Sequence, residues 1–235
     1  MLSRMAVRVR SRSVSETVNE YFGGEKHPEH GYTTLYRYRL ERIWDRGAAP
    51  LLVIGCNPST ATAEKLDPTI MKVYNIARDN DYGGIIMCNL YAYRETSPEK
   101  MKKAAAKNAT EDDPNGFEYV IGPDNEDQIL EAANNWNVED VVFAYGNIGV
   151  EGWGRDGNME ASGHPIDLMK KMMENGRNVL AFAATEKYHP NHPIWITEDQ
   201  CQKMKDGELN WINLIEYYMI NDMVDDQEED DVIMN

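Results

Sequence analysis

Four short apolar runs constrain the fold of this chain more than any other feature. Leu51–Ile54, Ile85–Leu90, Val141–Tyr145 and Val179–Ala183 are each rich in Val, Ile or Leu, and each stays apolar at successive positions. A strand with one solvated face alternates apolar and polar residues. A strand covered on both faces has no reason to, because both rows of side chains meet packing. The runs are also far too short to cross a bilayer, so no membrane partner is expected.

Helical stretches fill the gaps. Residues 67 to 79 open on Asp67-Pro68, an N-cap followed by a proline at the first helical position, and place Ile70, Val73, Tyr74 and Ala77 on one face. Residues 98 to 108 follow Ser97-Pro98, residues 124 to 135 form a third stretch, and residues 164 to 175 open at Gly163-His164-Pro165. Strand–helix alternation with right-handed crossovers predicts an α/β fold, a three-layer α/β/α sandwich around a central, mainly parallel four-stranded sheet. The run YTTLYRYRLERIW, residues 32 to 44, reads as an antiparallel neighbour. Residues 108 to 127 are turn-rich and acidic and read as a surface excursion, and a closing helix is expected around residues 208 to 220. A single domain over residues 32 to 220 then lies between an N-terminal arm, 1 to 31, and an acidic tail, 221 to 235, of disorder-prone composition.

Charge narrows the partners. The net charge is −16, and residues 216 to 235 carry eight acids and no Lys or Arg, so the rest still holds −16 + 8 = −8. The first 46 residues hold nine Lys or Arg against six Asp or Glu. A protein gripping duplex DNA through its phosphates needs a basic face, and here one can exist only locally. The acidic tail is better suited to a protein partner. Cys56, Cys88 and Cys201 cannot all pair and lack metal-ligand spacing, which fits reduced thiols in the cytoplasm. The opening MLSRMAVRVR is basic but leads into no apolar stretch, so no secretory signal is expected.

Open parallel sheets bind ligands beyond the carboxyl ends of their strands, near the point where strand order reverses. After the first run comes Gly55-Cys56-Asn57-Pro58-Ser59-Thr60, and after the second Asn89, then Leu90-Tyr91-Ala92-Tyr93-Arg94. The third leads into Tyr145-Gly146-Asn147, and the fourth into Thr185 and then His189-Pro190-Asn191-His192-Pro193. One such residue at one exit is ordinary turn chemistry. Amides or imidazoles at all four exits point to a site. An amide offers a donor and an acceptor in fixed geometry, which suits a pyrimidine edge. Asn57, pinned by Pro58, can hold a water but cannot act as a strong base, and His192 can donate to a developing anion. Tyr91 or Tyr93 would stack on a base, worth ~1–3 kcal/mol. Arg94 would reach a phosphate or pair with Glu95 or Glu99, Gly146 would admit close backbone approach, and Gly55, Pro58, Ser59 and Asn147 would complete the wall. Asp67 reads as a helix cap. No phosphate-loop signature, no Gly-x-Gly-x-x-Gly after the first strand and no metal-ligand cluster occur in the sequence, so neither a cofactor nor a metal is expected.

The motifs GCNPSTA, DPT, CNLYAYR, AYGNIG and NHP, in that order over residues 32 to 197, resemble the bacterial and phage family known as domain of unknown function 1643 (DUF1643). More distantly, Gly55-Cys56-Asn57-Pro58 resembles the Gly-x-Asn-Pro motif of the mismatch-specific branch of the uracil-DNA glycosylase superfamily. That resemblance implies a glycosylase-like fold in which Asn57 positions water, Asn89 reads the base and His192-Pro193 supports the leaving group. The match is incomplete: many branches carry an acid where Asn57 stands, and the Ser-Pro that often follows His-Pro is Ile194-Trp195 here. The expected function is recognition of a nucleobase in DNA or a nucleotide, with hydrolysis of an N-glycosidic bond. The alternatives are a binding module on the same fold that lacks the chemistry, or a transferase that modifies phage or host bases.

Overall fold

The apolar runs become the middle of a seven-stranded mixed sheet. A computed structural model describes residues 16–25, 28, 34–58, 67–147, 164–187, 189–208, 210–214 and 216. Its strands are β1 (Thr17–Gly23), β2 (Tyr36–Ile43), β3 (Leu51–Gly55), β4 (Gly84–Asn89), β5 (Asp140–Phe143), β6 (Asn178–Ala181) and β7 (Ile212–Asn213), in the spatial order β1-β2-β4-β3-β5-β6-β7. The four strands from the apolar runs pair in parallel, while β1, β2 and β7 join antiparallel.

The expected four-stranded sheet is therefore too small. β2 is buried throughout, although four of its eight residues, Arg37, Arg39, Glu41 and Arg42, are charged. Arg39 Nε lies 3.2 Å from Glu41, Arg42 pairs with Glu16 at 3.0 Å, and the Arg39 guanidinium sits 3.7 Å above the Tyr21 ring of β1. Ion pairing inside the sheet allows charged residues where hydropathy would place a surface. β1 lies in the stretch that reads from sequence as an arm. β7, only two residues long, carries no periodic signal.

Helices cover both faces. Leu52, Ile54, Ile86, Cys88, Val141 and Phe143 meet one apolar cluster, and the alternate residues Leu51, Val53, Ile85, Met87 and Val142 meet the other. The first cluster takes in α2 (Pro98–Lys107), α3 (Phe117–Ile121), α4 (Asn125–Asn135) and α5 (His164–Glu174). The second takes in α1 (Pro68–Asp79) and α6 (Glu198–Lys205). Caps set where the helices begin. Asp67 Oδ1 accepts from the Ile70 N–H at 2.7 Å ahead of Pro68, and Thr197 with Gln200 closes a capping box on α6.

Two expectations about the connecting segments change. The excursion over residues 108 to 127 contains α3, whose Val120 is wholly buried; Tyr93 N–H donates to its carbonyl at 3.1 Å. The closing helix expected around residues 208 to 220 begins later: a turn and then β7 come first, Leu214 and Glu216 are helical, and residues 209, 215 and 217 to 220 lie outside the described residues. No helix among the described residues is long and apolar enough to cross a membrane.

The topology places the site. From β3 the chain crosses over α1 to β4 on one side, then returns by α2–α4 to β5 on the other. The two crossovers lie on opposite faces, so they diverge at the carboxyl end of β3 and leave an opening there.

Candidate functional site

A cavity of about 570 Å³ occupies that opening. Asn57, Asn89 and His192 all line it, with Gly55, Pro58, Gly146 and Asn147. Parallel pairing sets Gly55 beside Asn89. A methyl group at Gly55 would lie 2.8 Å from Asn89 Oδ1, so the missing side chain gives the Asn89 amide its place. Asn89 is 93% buried, since only 7% remains accessible, and its side chain makes no protein hydrogen bond among the described residues. Its backbone is held firmly: Asn125 Nδ2, from α4, donates to the carbonyls of Asn89 (2.9 Å) and Leu90 (3.1 Å), and His164 Nε2, from α5, donates to the Leu90 carbonyl at 3.2 Å.

Asn57 is oriented from behind. Its Nδ2 donates to the Glu95 carbonyl, so the oxygen of the amide is the atom left to face a ligand or water. His192 begins the 3-10 turn Pro193–Trp195, and its Nδ1 accepts from the Ile194 N–H at 3.3 Å. The proton of the neutral ring therefore sits on Nε2. Burial lowers its pKa below the ordinary 6.5, against the opposing pull of Asp67, so the ring is a neutral donor at pH 7. Gly146 has φ +65°, and a methyl group there would stand 3.2 Å from His192 Cβ. Thr185 Oγ1 donates to Asn147 Oδ1 at 2.6 Å, leaving the Asn147 nitrogen as the free end of that amide.

The model of the family described as Protein of unknown function (DUF1643) matches residues 37–194. The chain belongs to the DUF1643 family. No curated protein and no solved structure matches it. All the described residues that line the cavity except Trp195 fall within the DUF1643 match.

Other residues singled out in the sequence stand elsewhere in the DUF1643 fold. Tyr91 is fully buried beneath the rim, with its hydroxyl pushed well above the ordinary phenol range by burial and by the neighbouring Cys56 and Tyr145. It does not line the cavity, and neither does Tyr93, which packs on Tyr119 with ring centroids 5.6 Å apart. Arg94 turns away as well: its Nη1 donates to Thr34 Oγ1 at 3.2 Å and its guanidinium lies 4.8 Å over the Phe22 ring. Their positions follow from the bend of the chain after β4, where Leu90 and Tyr91 donate back to the carbonyls of Gly55 and Cys56. His189 closes a turn onto Thr185. Ser59 lies outside the described residues.

The cavity also gathers residues that sequence reading left aside. Arg37 of β2 lines it while only 4% exposed. Asp67 caps α1 with one carboxylate oxygen and also lines the cavity, close enough to His192 to influence it. Tyr145 contributes to the wall, and Trp195, 72% exposed, stands with Ile194 at the lip. An arginine alternating with aromatics in a strand, and an exposed tryptophan after His-Pro, are signals visible in the sequence. Cys56 reaches the wall too, but burial pushes its thiol up to about 12 against the pull of Lys102, which leaves no thiolate for nucleophilic work.

Proposed function

We propose that the cavity is a nucleobase site of glycosylase-like architecture that hydrolyses the N-glycosidic bond of a nucleotide or of a base in DNA. The observation that carries this is the convergence of Asn57, Asn89 and His192 on one cavity, with the hydrogen-bonding ends of Asn57 and His192 already assigned by the protein. Breaking such a bond builds positive charge on the sugar and negative charge on the departing base. The Asn89 amide, which makes no protein hydrogen bond among the described residues, supplies a donor and an acceptor to the base edge. His192 Nε2–H donates to the base as it leaves. The Asn57 oxygen accepts one proton of a water and aims its lone pair at the anomeric carbon. Asp67 provides the carboxylate that receives the water's other proton, a task beyond an amide. In place of Tyr91, the exposed ring of Trp195 at the lip is the surface on which a base would stack.

The test is release of free base from a panel of modified single- and double-stranded DNAs and free nucleotides. We expect release from at least one member, abolished by Asn57→Ala and by His192→Ala. Folded protein that releases base from none, and gives no product with altered linkage, leaves no room for the enzyme. Thermal stabilisation by a nucleoside without turnover would instead fit a binding module on the same site.

A further inference from the structure

The exits of β5 and β6 run side by side at the cavity. Gly146 N–H donates to the Pro190 carbonyl and Asn191 N–H to the Ala183 carbonyl, both at 2.8 Å, so the segment returning after β6 lies along the one leaving β5. Gly146, bare of a side chain, lets His192 pack against it, and Asn147 and His192 share that stretch of wall. Thr185 decides which end of the Asn147 amide faces inward. Its Oγ1 accepts from the backbone N–H groups of Lys187 at 3.3 Å and His189 at 3.2 Å. A hydroxyl has two lone pairs and one proton. Both lone pairs are thereby used, and the proton goes to the Asn147 atom 2.6 Å away. That atom is the carbonyl oxygen, because a flipped amide would set its N–H against a hydroxyl with no lone pair to offer. The Asn147 nitrogen is thus held as a donor, as the Nε2–H of His192 is by the Ile194 N–H on its other nitrogen. Asn57 is fixed in the opposite sense, with its oxygen to the cavity. The wall therefore has a polarity, donors at the β5 and β6 exits and an acceptor at the β3 exit.

We propose that Asn147 is a catalytic residue of this site, a second donor beside His192 to the departing base, and that Thr185 is the positioning residue that holds its amide in the donating sense. The proposal rests on the base-release reading above. As the bond between sugar and base breaks, its electron pair passes to the base and spreads onto a carbonyl oxygen conjugated with the bonded nitrogen. Such an oxygen carries two lone pairs, so it has room for an amide N–H and an imidazole N–H together. The water oxygen forms the new bond to the sugar carbon. One water proton passes to Asp67, the other stays on the new sugar hydroxyl, and the base anion takes a proton from solvent. A donor fixed before the reaction needs no reorganisation as charge develops, and each such donor is worth roughly 10²–10³ in rate. An amide free to turn would present its oxygen instead, the end that repels that charge. The hydroxyl of Thr185 removes that choice.

The test is single-turnover base release by the full chain from deoxyuridine and deoxycytidine, each paired with its 5-fluoro counterpart, whose base leaves more easily. Each is offered as nucleoside, as 5′-monophosphate and within single- and double-stranded DNA, with deoxyadenosine and deoxyguanosine in the same forms for comparison. We expect Asn147→Ala to slow release roughly 10²–10³-fold, to change the dissociation constant of the intact substrate far less, and to cost less on the fluorinated partner. Asn147→Asp has the same shape without the N–H and should lose at least as much; it carries the test if the alanine variant does not fold. Thr185→Val should lose tenfold or more, and Thr185→Ser, which keeps the hydroxyl, should recover most of that loss. Undiminished release by folded Asn147→Ala, or an equal loss on parent and fluorinated base, overturns the proposal and leaves the base-release reading standing. Release of purines alone does the same. If the folded wild-type chain releases base from no member of the set, that reading fails and the proposal with it.

Discussion

Gly55 shows how a single missing side chain shapes this site. Its backbone needs no positive φ, so the constraint is space, and the atom in the way is the tip of Asn89. Gly55→Ala should therefore keep the fold, since a side chain can give way where backbone cannot, yet displace the amide and cost tenfold or more in nucleoside affinity. Titration alongside a denaturation curve separates the two effects, and unaltered affinity would remove Asn89 from the binding surface. Asp67 invites a complementary substitution. Asn caps a helix about as well as Asp, so Asp67→Asn should change stability by only a few tenths of a kcal/mol. It removes the proton acceptor, so base release should fall by a factor of roughly 10²–10⁴, the usual contribution of a general base. Comparable rates for the two proteins would assign Asp67 to the helix alone.

Elements act on the site through the grip that α4 and α5 keep on the end of β4. Asn125 is wholly buried, and its nitrogen serves two carbonyls while its Oδ1 has no partner. An apolar residue of similar volume would relieve that oxygen but strand the carbonyls. Asn125→Leu should destabilise the protein by about 1–3 kcal/mol and loosen Asn89, raising the dissociation constant for a nucleoside even under conditions where the variant is fully folded. Denaturant titration together with ligand binding at a temperature well below unfolding checks this, and full-strength binding in the variant would show that β4 holds Asn89 unaided. At this scale much was legible. Asp67-Pro68 and Ser97-Pro98 mark the starts of α1 and α2 because a cap is a local hydrogen bond, made within four residues. α3 was not legible, because its five residues are stabilised by contacts with the segment after β4.

Across the whole molecule, burial of two histidines ties folding to pH. His164 and His192 both have pKa values lowered from 6.5, with burial the leading cause for each. The unfolded chain takes up their protons near the ordinary value while the folded one resists, so their contribution is intact above 6.5 and is lost as pH falls through the lowered values. Stability should thus drop as pH falls below 6.5, and His164→Gln should flatten part of that slope, as urea unfolding at several pH values will show. An unchanged slope in the variant would mean that His164 is not linked to folding. What the sequence determined by itself were the features that need only neighbours along the chain: the four doubly buried strands, the helix starts between them, and the polar residues that follow each strand. Tertiary structure decided the rest. It turned Tyr91 and Arg94 away from the rim, brought Arg37 in from a strand whose charges are buried as pairs, and gave the capping carboxylate of Asp67 a place beside His192. The reason is physical: a side chain's direction is set by strand order and by the bend after each strand, and those depend on contacts between residues far apart in sequence.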